Sequence, residues 1–193
     1  MALMKTLYMK LRYHKDMKIV ILRHGETEWN SRNLVLGRTD IPLNEKGRQQ
    51  ADEVGKRLQS MNFDKIFSSP LSRAVETADI VSKHQKNNCS RVISKCLTEQ
   101  CFGIFEGVNR SLLDYQSEKR QYFKRYEKGE SYLDVAARVY PFIENILNTE
   151  TGNILLVTHN GICRIIVNYF MGMGNEEFVT FRLGNCEFKT FEF

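Results

Sequence analysis

The chain is expected to fold as an α/β layered domain, and three features point there. Strand and helix signals alternate along its length, the pattern of a sheet covered by helices. Two short apolar runs, Ile19-Val20-Ile21-Leu22 and Ile154-Leu155-Leu156-Val157, read as strands buried on both faces. Both runs end within two residues of a histidine, with glycine close behind: Arg23-His24-Gly25 in one case, Thr158-His159-Asn160-Gly161 in the other.

In chain order, the first strand signal covers 18–22. Asn44 is an N-cap candidate for a helix reaching about Ser60, with Ala51, Val54 and Leu58 on one face. A second strand is expected around 65–67. Ser69-Pro70 then predicts a helix start, capping residue followed by proline at the first helical position, with Leu71, Ala74, Val75, Ala78 and Val81 facing inward. A third strand is expected around 91–94. Leu133 to Leu147 carries a helical stripe that Pro141 should kink or interrupt. A strand at 153–158 precedes a helix showing Ile162, Ile165, Ile166, Tyr169 and Phe170 on its apolar side. The signal at 186–192 is weaker and suits a sheet edge. No internal repeat, low-complexity linker or second domain is visible.

The length of 193 residues suits one domain over 17–193, preceded by an extension at 1–16. That extension is basic, but Lys5 and Lys10 break any apolar stretch long enough for a signal peptide. Hydrophobic residues at 42% and charged ones at 26% are ordinary for a soluble protein. No run approaches the ~18 apolar residues of a membrane span. Of the formal charge of +5, the extension carries +3, so the domain itself is too nearly neutral for a nucleic-acid binder. The odd count of five cysteines, with no C-x-x-C pair, predicts reduced and mostly buried thiols in a cytoplasmic protein. P-loop, G-x-S-x-G and H-E-x-x-H motifs are missing, and "GMGNEE" follows a helix rather than a strand. His14 and His84 read as exposed polar residues, and Trp29 as packing behind the loop that follows the first strand.

The candidate site lies at the strand ends. In open α/β sheets, ligands bind outside the carboxyl ends of the strands, where following helices offer free N–H groups to an anion. There the sequence puts Arg23 and His24 after one strand, and His159, Asn160 and Gly161 after another. Arg73, in the first turn of the helix after Ser68-Ser69, adds a cation that the helix dipole opposes unless an anion is bound. Two imidazoles and two guanidinium groups at such junctions point to phosphate.

These residues lie in "LRHGETEWN", "GRTDIPLNEKGRQQA", "SSPLSRAVETA", "LTEQCFGIFEG", "GES" and "VTHNG", which together resemble the histidine phosphatase, or phosphoglycerate-mutase-like, superfamily over 17–193. The resemblance implies a three-layer α/β/α sandwich with a mixed, mostly parallel central sheet, and a reaction needing neither metal nor cofactor. It implies that His24 is the phosphoryl acceptor and that Arg23, Arg73 and His159 surround the phosphate, with Asn30 and Asn160 as further donors. Glu99 would protonate the leaving oxygen, contributing about 10²–10⁴-fold. A neutral imidazole avoids the repulsion an anionic nucleophile would meet from a phosphate dianion, provided its other nitrogen is held by an acceptor such as a backbone carbonyl. His159, as imidazolium, would add positive charge where the transition state needs it.

Mutases of this type carry E-R-H-Y-G where this chain has Glu99-Gln100-Cys101-Phe102-Gly103, and only 51 residues separate Gly107 from His159. A shorter cover admits water, so hydrolysis is expected over mutase activity. The segment 102–132 interleaves aromatic and basic residues and is expected to be mainly an amphipathic helix, with Arg110 and Tyr115 facing the pocket. The expected partner is a small phosphorylated metabolite, with no nucleic acid and no membrane, acting in a monomer or homodimer. A catalytically weak member serving as a binding protein is the alternative from a different class.

Overall fold

A computed structural model describes residues 16–193; the extension before Asp16, His14 included, lies outside the described residues. Strands β1 (Met17–Arg23), β2 (Lys65–Ser68), β3 (Ser90–Ile93), β4 (Gly152–Thr158) and β5 (Phe188–Glu192) form one sheet in the order β3-β2-β4-β1-β5. Pairing is parallel throughout except for β5, which runs antiparallel to β1.

Alternation along the two central strands builds two cores. Ile19, Ile21, Ile154 and Leu156 face one side, where helices α5 (Tyr132–Thr149) and α6 (Asn160–Met171) supply Val139, Ile143 and Ile166. Val20, Leu22, Leu155 and Val157 face the other, against α2 (Glu45–Leu58) and α3 (Ser72–Ser82). The result is the three-layer sandwich with a mostly parallel sheet. Burying each such aliphatic side chain contributes about 1.5–3 kcal/mol.

Register decides where the histidines go. β1 pairs with β4 so that Ile19 faces Ile154, Leu22 faces Val157 and Arg23 faces Thr158. The next residues, His24 and His159, therefore leave neighbouring strands side by side at the same edge. β2 pairs Ser68 with Val157, which brings Ser69 to that level too.

Asn44 caps α2 as expected, its side chain accepting from the Gly47 N–H at 2.8 Å. Three expectations about the helices need correction. First, α3 starts at Ser72, beyond Ser69-Pro70, because Asp40 from a distant loop accepts from the Ser72 N–H (2.9 Å) and hydroxyl (2.8 Å). Second, α5 runs unbroken through Pro141. Proline there forfeits one helical hydrogen bond on the exposed side while the buried stripe of Val135, Val139, Ile143 and Leu147 holds the helix together. Third, 102–131 is no long helix. Left-handed residues Gly103, Gly107 and Lys128 break it into turns and two short helical pieces, Gly103–Phe105 and α4 (Leu113–Glu118). Its Phe102, Tyr115 and Tyr126 pack on one another, in a cluster of their own with Val35.

Cys163 and Cys186 are buried while Cys89, Cys96 and Cys101 are half-buried, so the thiols are free but not mostly buried. His84 is half-buried, with Nε2 2.7 Å from an Asp52 carboxylate oxygen, because its ring closes over Gly55 of α2. Trp29, in the single-turn helix α1 (Glu28–Ser31), packs against Gly107 of the cover segment.

Candidate active site

His24 follows β1, and its N–H is bonded to the Thr158 carbonyl at 2.9 Å. Its Nδ1 lies 2.6 Å from the carbonyl oxygen of Gly25. A carbonyl can only accept, so Nδ1 carries the proton and Nε2 presents a lone pair. Burial first, then the nearby Arg73 and Arg23, holds the imidazole pKa well below its ordinary value, so the ring is neutral at pH 7. Gly25 donates to Thr77 Oγ1 at 3.1 Å and leaves no room for a side chain, since a Cβ there would stand 2.3 Å from the Gly47 carbonyl oxygen. The first turn of α2 thus clamps the loop from behind.

His159 packs edge-on to His24, with ring centroids 5.1 Å apart. Its Nε2 is 2.7 Å from Ser69 Oγ, and its Nδ1 accepts from Arg73 Nε at 3.3 Å. A guanidinium only donates, so His159 is the neutral tautomer with its proton on Nε2. Burial, and after it Arg73 and His24, pushes its pKa well below the ordinary value. The imidazolium expected at this position is therefore not the state of the free site.

Arg73 is wholly buried at the base of the site, with Nη2 donating to the Gly37 carbonyl at 2.6 Å and Nη1 to that of Thr39 at 3.0 Å. Glu106 holds those carbonyls in place, its carboxylate accepting from the N–H groups of Arg38 (2.9 Å), Thr39 (2.8 Å) and Phe102 (3.2 Å).

Arg23 donates from Nη1 to the Leu183 carbonyl at 2.7 Å, while its Nε–H is buried with no partner among the described residues. Burial, with Arg110 and Arg182 adding repulsion, lowers its pKa to about 10, so it remains charged at pH 7. Glu99 is 5% exposed rather than a surface loop carboxylate. Its oxygens accept from Gln100 N (2.9 Å) and Gly161 N (3.1 Å), yet burial outweighs those bonds and raises its pKa. Gly161 is constrained by that carboxylate, since a Cβ there would stand 2.4 Å from Glu99 Oε1.

Asn30 completes the capping box of α1, its Oδ1 accepting from the Thr27 N–H (3.3 Å) and from Asn185 Nδ2 (3.2 Å). Asn160 accepts from the Leu183 N–H at 2.9 Å, fastening the loop before β5.

Five of the seven predicted residues, Arg23, His24, Asn30, Glu99 and Asn160, line one cavity of about 320 Å³. Arg73 and His159 do not line it; they back the ring of His24. Sequence reading missed Ser69, Thr77, Glu106 and Asn185, all of which fix the orientation of a site residue. Ser69, Thr77 and Glu106 sit inside the family-like motifs, but nothing there assigns them their histidine, glycine or backbone partners. Cations Lys119, Arg164 and Arg182 also line the cavity. Among the described residues no cluster of His, Cys, Asp and Glu is arranged to hold a metal ion, and no helix is long and apolar enough to cross a membrane.

A family model described as the histidine phosphatase superfamily (branch 1) matches residues 19–193. A 2,3-bisphosphoglycerate-dependent phosphoglycerate mutase from Bartonella henselae is 31% identical over 180 residues, 86% of each chain. Among solved structures, a mycobacterial glucosyl-3-phosphoglycerate phosphatase complexed with VO3 superposes with TM-score 0.80 at 25% identity, covering 90% of this chain and 91% of that one. A phosphoserine phosphatase from Entamoeba histolytica, in complex with phosphoserine, gives TM-score 0.76 at 28% identity over 90% and 89%.

Proposed function

Since the chain belongs to the histidine phosphatase superfamily (branch 1), we propose that it is a metal-independent phosphomonoesterase acting on a small phosphorylated metabolite through a phosphohistidine at His24. The observation that carries this reading is the presence, lining one cavity, of a carbonyl-locked His24 and a buried Glu99 with raised proton affinity. In the first step Nε2 of His24 attacks phosphorus as the ester P–O bond breaks, and the Glu99 carboxyl gives its proton to the departing oxygen. In the second step the Glu99 carboxylate takes a proton from water, whose oxygen attacks phosphorus as the N–P bond breaks. Phosphate leaves and both groups return to their starting states.

The three equatorial oxygens need positive partners in place beforehand. Arg23 offers its unpartnered Nε–H, and Asn30 and Asn160 offer amide groups at the cavity wall. A dianion held against His24, whose ring packs on that of His159, would raise the His159 pKa and favour the charged form that the free site lacks.

Hydrolysis is supported over transfer to a second hydroxyl by the cavity's rim, where Ser111, Gln116 and Arg182 are exposed to solvent and water has access. The mutase reading is favoured by the name of the Bartonella relative. Two assays separate them: release of phosphate from p-nitrophenyl phosphate with EDTA present, and interconversion of 2- and 3-phosphoglycerate. Hydrolysis that vanishes in His24→Ala, with slower or no interconversion, is the expected pattern. Interconversion much faster than any hydrolysis establishes the mutase, and no turnover of either substrate leaves a binding protein.

A further inference from the structure

The strand register that sets His24 and His159 side by side does not reach Glu99. That residue follows β3, which ends at Ile93, in a stretch that is neither strand nor α-helix. Something other than the sheet must hold the backbone that carries it.

Two side chains do so. Arg138, on α5, donates from Nη1 to the Cys96 carbonyl at 2.6 Å and from Nη2 to the carbonyl of Glu99 itself at 3.4 Å. Glu130, next to the α5 cap Ser131, accepts from the Cys101 N–H at 2.9 Å through Oε2. Its backbone adds two bonds: the Glu130 N–H donates to the Cys101 carbonyl at 2.9 Å, and Gln100 Nε2 donates to the Glu130 carbonyl at 3.0 Å. The two side chains also meet, Arg138 Nη2 lying 3.4 Å from Glu130 Oε2. The chain is therefore gripped before, at and after Glu99.

The grip extends to the other half of the site. Glu130 Oε1 accepts from Arg38 Nη2 at 2.8 Å, and Arg38 lies between Gly37 and Thr39, whose carbonyls receive Arg73. One carboxylate thus ties the stretch bearing Glu99 to the stretch beneath Arg73. Neither Glu130 nor Arg138 lines the cavity, and the Arg138 Nε–H is buried with no partner among the described residues. A half-buried ion pair with an unbonded N–H is a poor source of stability. A planar fork on two carbonyls is well suited to fixing position.

We propose that Arg138 and Glu130 are positioning residues for the proton-transfer step, fixing the backbone around Glu99 so that its carboxyl stands at the cavity without either of them touching substrate. This rests on the phosphomonoesterase reading and on the acid role of Glu99 within it. Misplacing a catalytic group by about 1 Å costs on the order of 10²-fold.

The test compares Arg138→Met, which removes every donor, with Arg138→Lys, which keeps the charge but loses the fork. Glycerol 2-phosphate needs its leaving oxygen protonated, and p-nitrophenyl phosphate hardly does. In both variants kcat/KM is expected to fall about tenfold to a hundredfold for the first ester and about threefold or less for the second. The double variant Glu99→Gln/Arg138→Met should be within about twofold of Glu99→Gln, because the lost placement has no acid left to serve. An unchanged ratio between the two esters in either single variant overturns the proposal, as does a double variant in which the two losses multiply. Should Arg138→Met not fold, Glu130→Gln carries the same comparison. A readout independent of turnover is the titration of the Glu99 carboxyl by ¹³C NMR, its resonance identified by its disappearance in Glu99→Gln. The cations acting on it, Arg73, Arg164, Arg23 and Arg110, are all retained in Arg138→Lys. Water admitted to a loosened carboxyl should there lower its raised pKa toward the ordinary value; an unmoved titration overturns the grip. If the native protein hydrolyses neither ester, the phosphatase reading fails and this titration alone decides the positioning role.

Discussion

At the scale of residues, the proposed chemistry depends on proton positions that neighbouring carbonyls and guanidinium groups dictate. Glu99→Gln removes the proposed proton source without changing shape, and kcat/KM should fall by about 10²–10⁴-fold for alkyl phosphates. For p-nitrophenyl phosphate, whose leaving group needs little protonation, the loss should be clearly smaller. Steady-state kinetics on the two substrates checks this, and equal losses would remove Glu99 from the acid role. Gly161→Ala pushes a methyl group to 2.4 Å from Glu99 Oε1. It should lower kcat by about tenfold to a hundredfold through misplacement of that carboxylate, with the folded state intact by circular dichroism.

Which residues gather at the candidate site could be read in the sequence, while their protonation could not. Histidine, arginine and glycine at strand ends located Arg23, His24 and His159, and the family motifs located Glu99. That His159 is neutral follows from Arg73 donating to its Nδ1. That contact depends on carbonyls of 37–39, held by Glu106 from 67 residues or more along the chain. No local pattern encodes such a relay.

At the scale of elements, apolar periodicity located the strands and the main helices because each has a buried stripe. It failed where something distant acts. α3 begins at Ser72 because Asp40 caps it, and the cover is broken into turns because three of its residues are left-handed. α5 survives Pro141 because the proline lies on its exposed side. Pro141→Ala would restore the N–H that the Ala137 carbonyl lacks, and is expected to stabilise the protein by about 1–3 kcal/mol, within the cost of an internal helical proline. Urea unfolding should show a higher midpoint with an unchanged slope; a lower midpoint would mean that the proline itself contributes to the native packing.

At the scale of the whole molecule, the two buried histidines link stability to acidity. In the folded state both have pKa values well below 6.5, whereas the unfolded chain binds protons near 6.5. Between those limits the unfolded state carries more protons, so stability rises with pH and is lost as pH falls from about 6.5 toward the lower folded-state values. Melting temperatures measured from pH 7.5 down to 5 should fall, and inorganic phosphate should counter the fall most at the acid end, because a bound dianion favours the protonated imidazole. An unchanged melting temperature across that range would contradict neutral, buried histidines. The register of β1 against β4 carries the architecture into the chemistry, since shifting it by one residue would turn His24 or His159 to the opposite face of the sheet.

The most direct test of a phosphohistidine at position 24 is rapid acid-free quenching of the native protein during turnover of a ³²P-labelled phosphomonoester, followed by mapping of the labelled peptide. The proposal predicts an acid-labile, base-stable label on the peptide containing His24, missing in His24→Ala and accumulating when water attack is slowed in Glu99→Gln. Steady hydrolysis with no protein-bound label in either the native protein or Glu99→Gln, or label retained by His24→Ala, would contradict it.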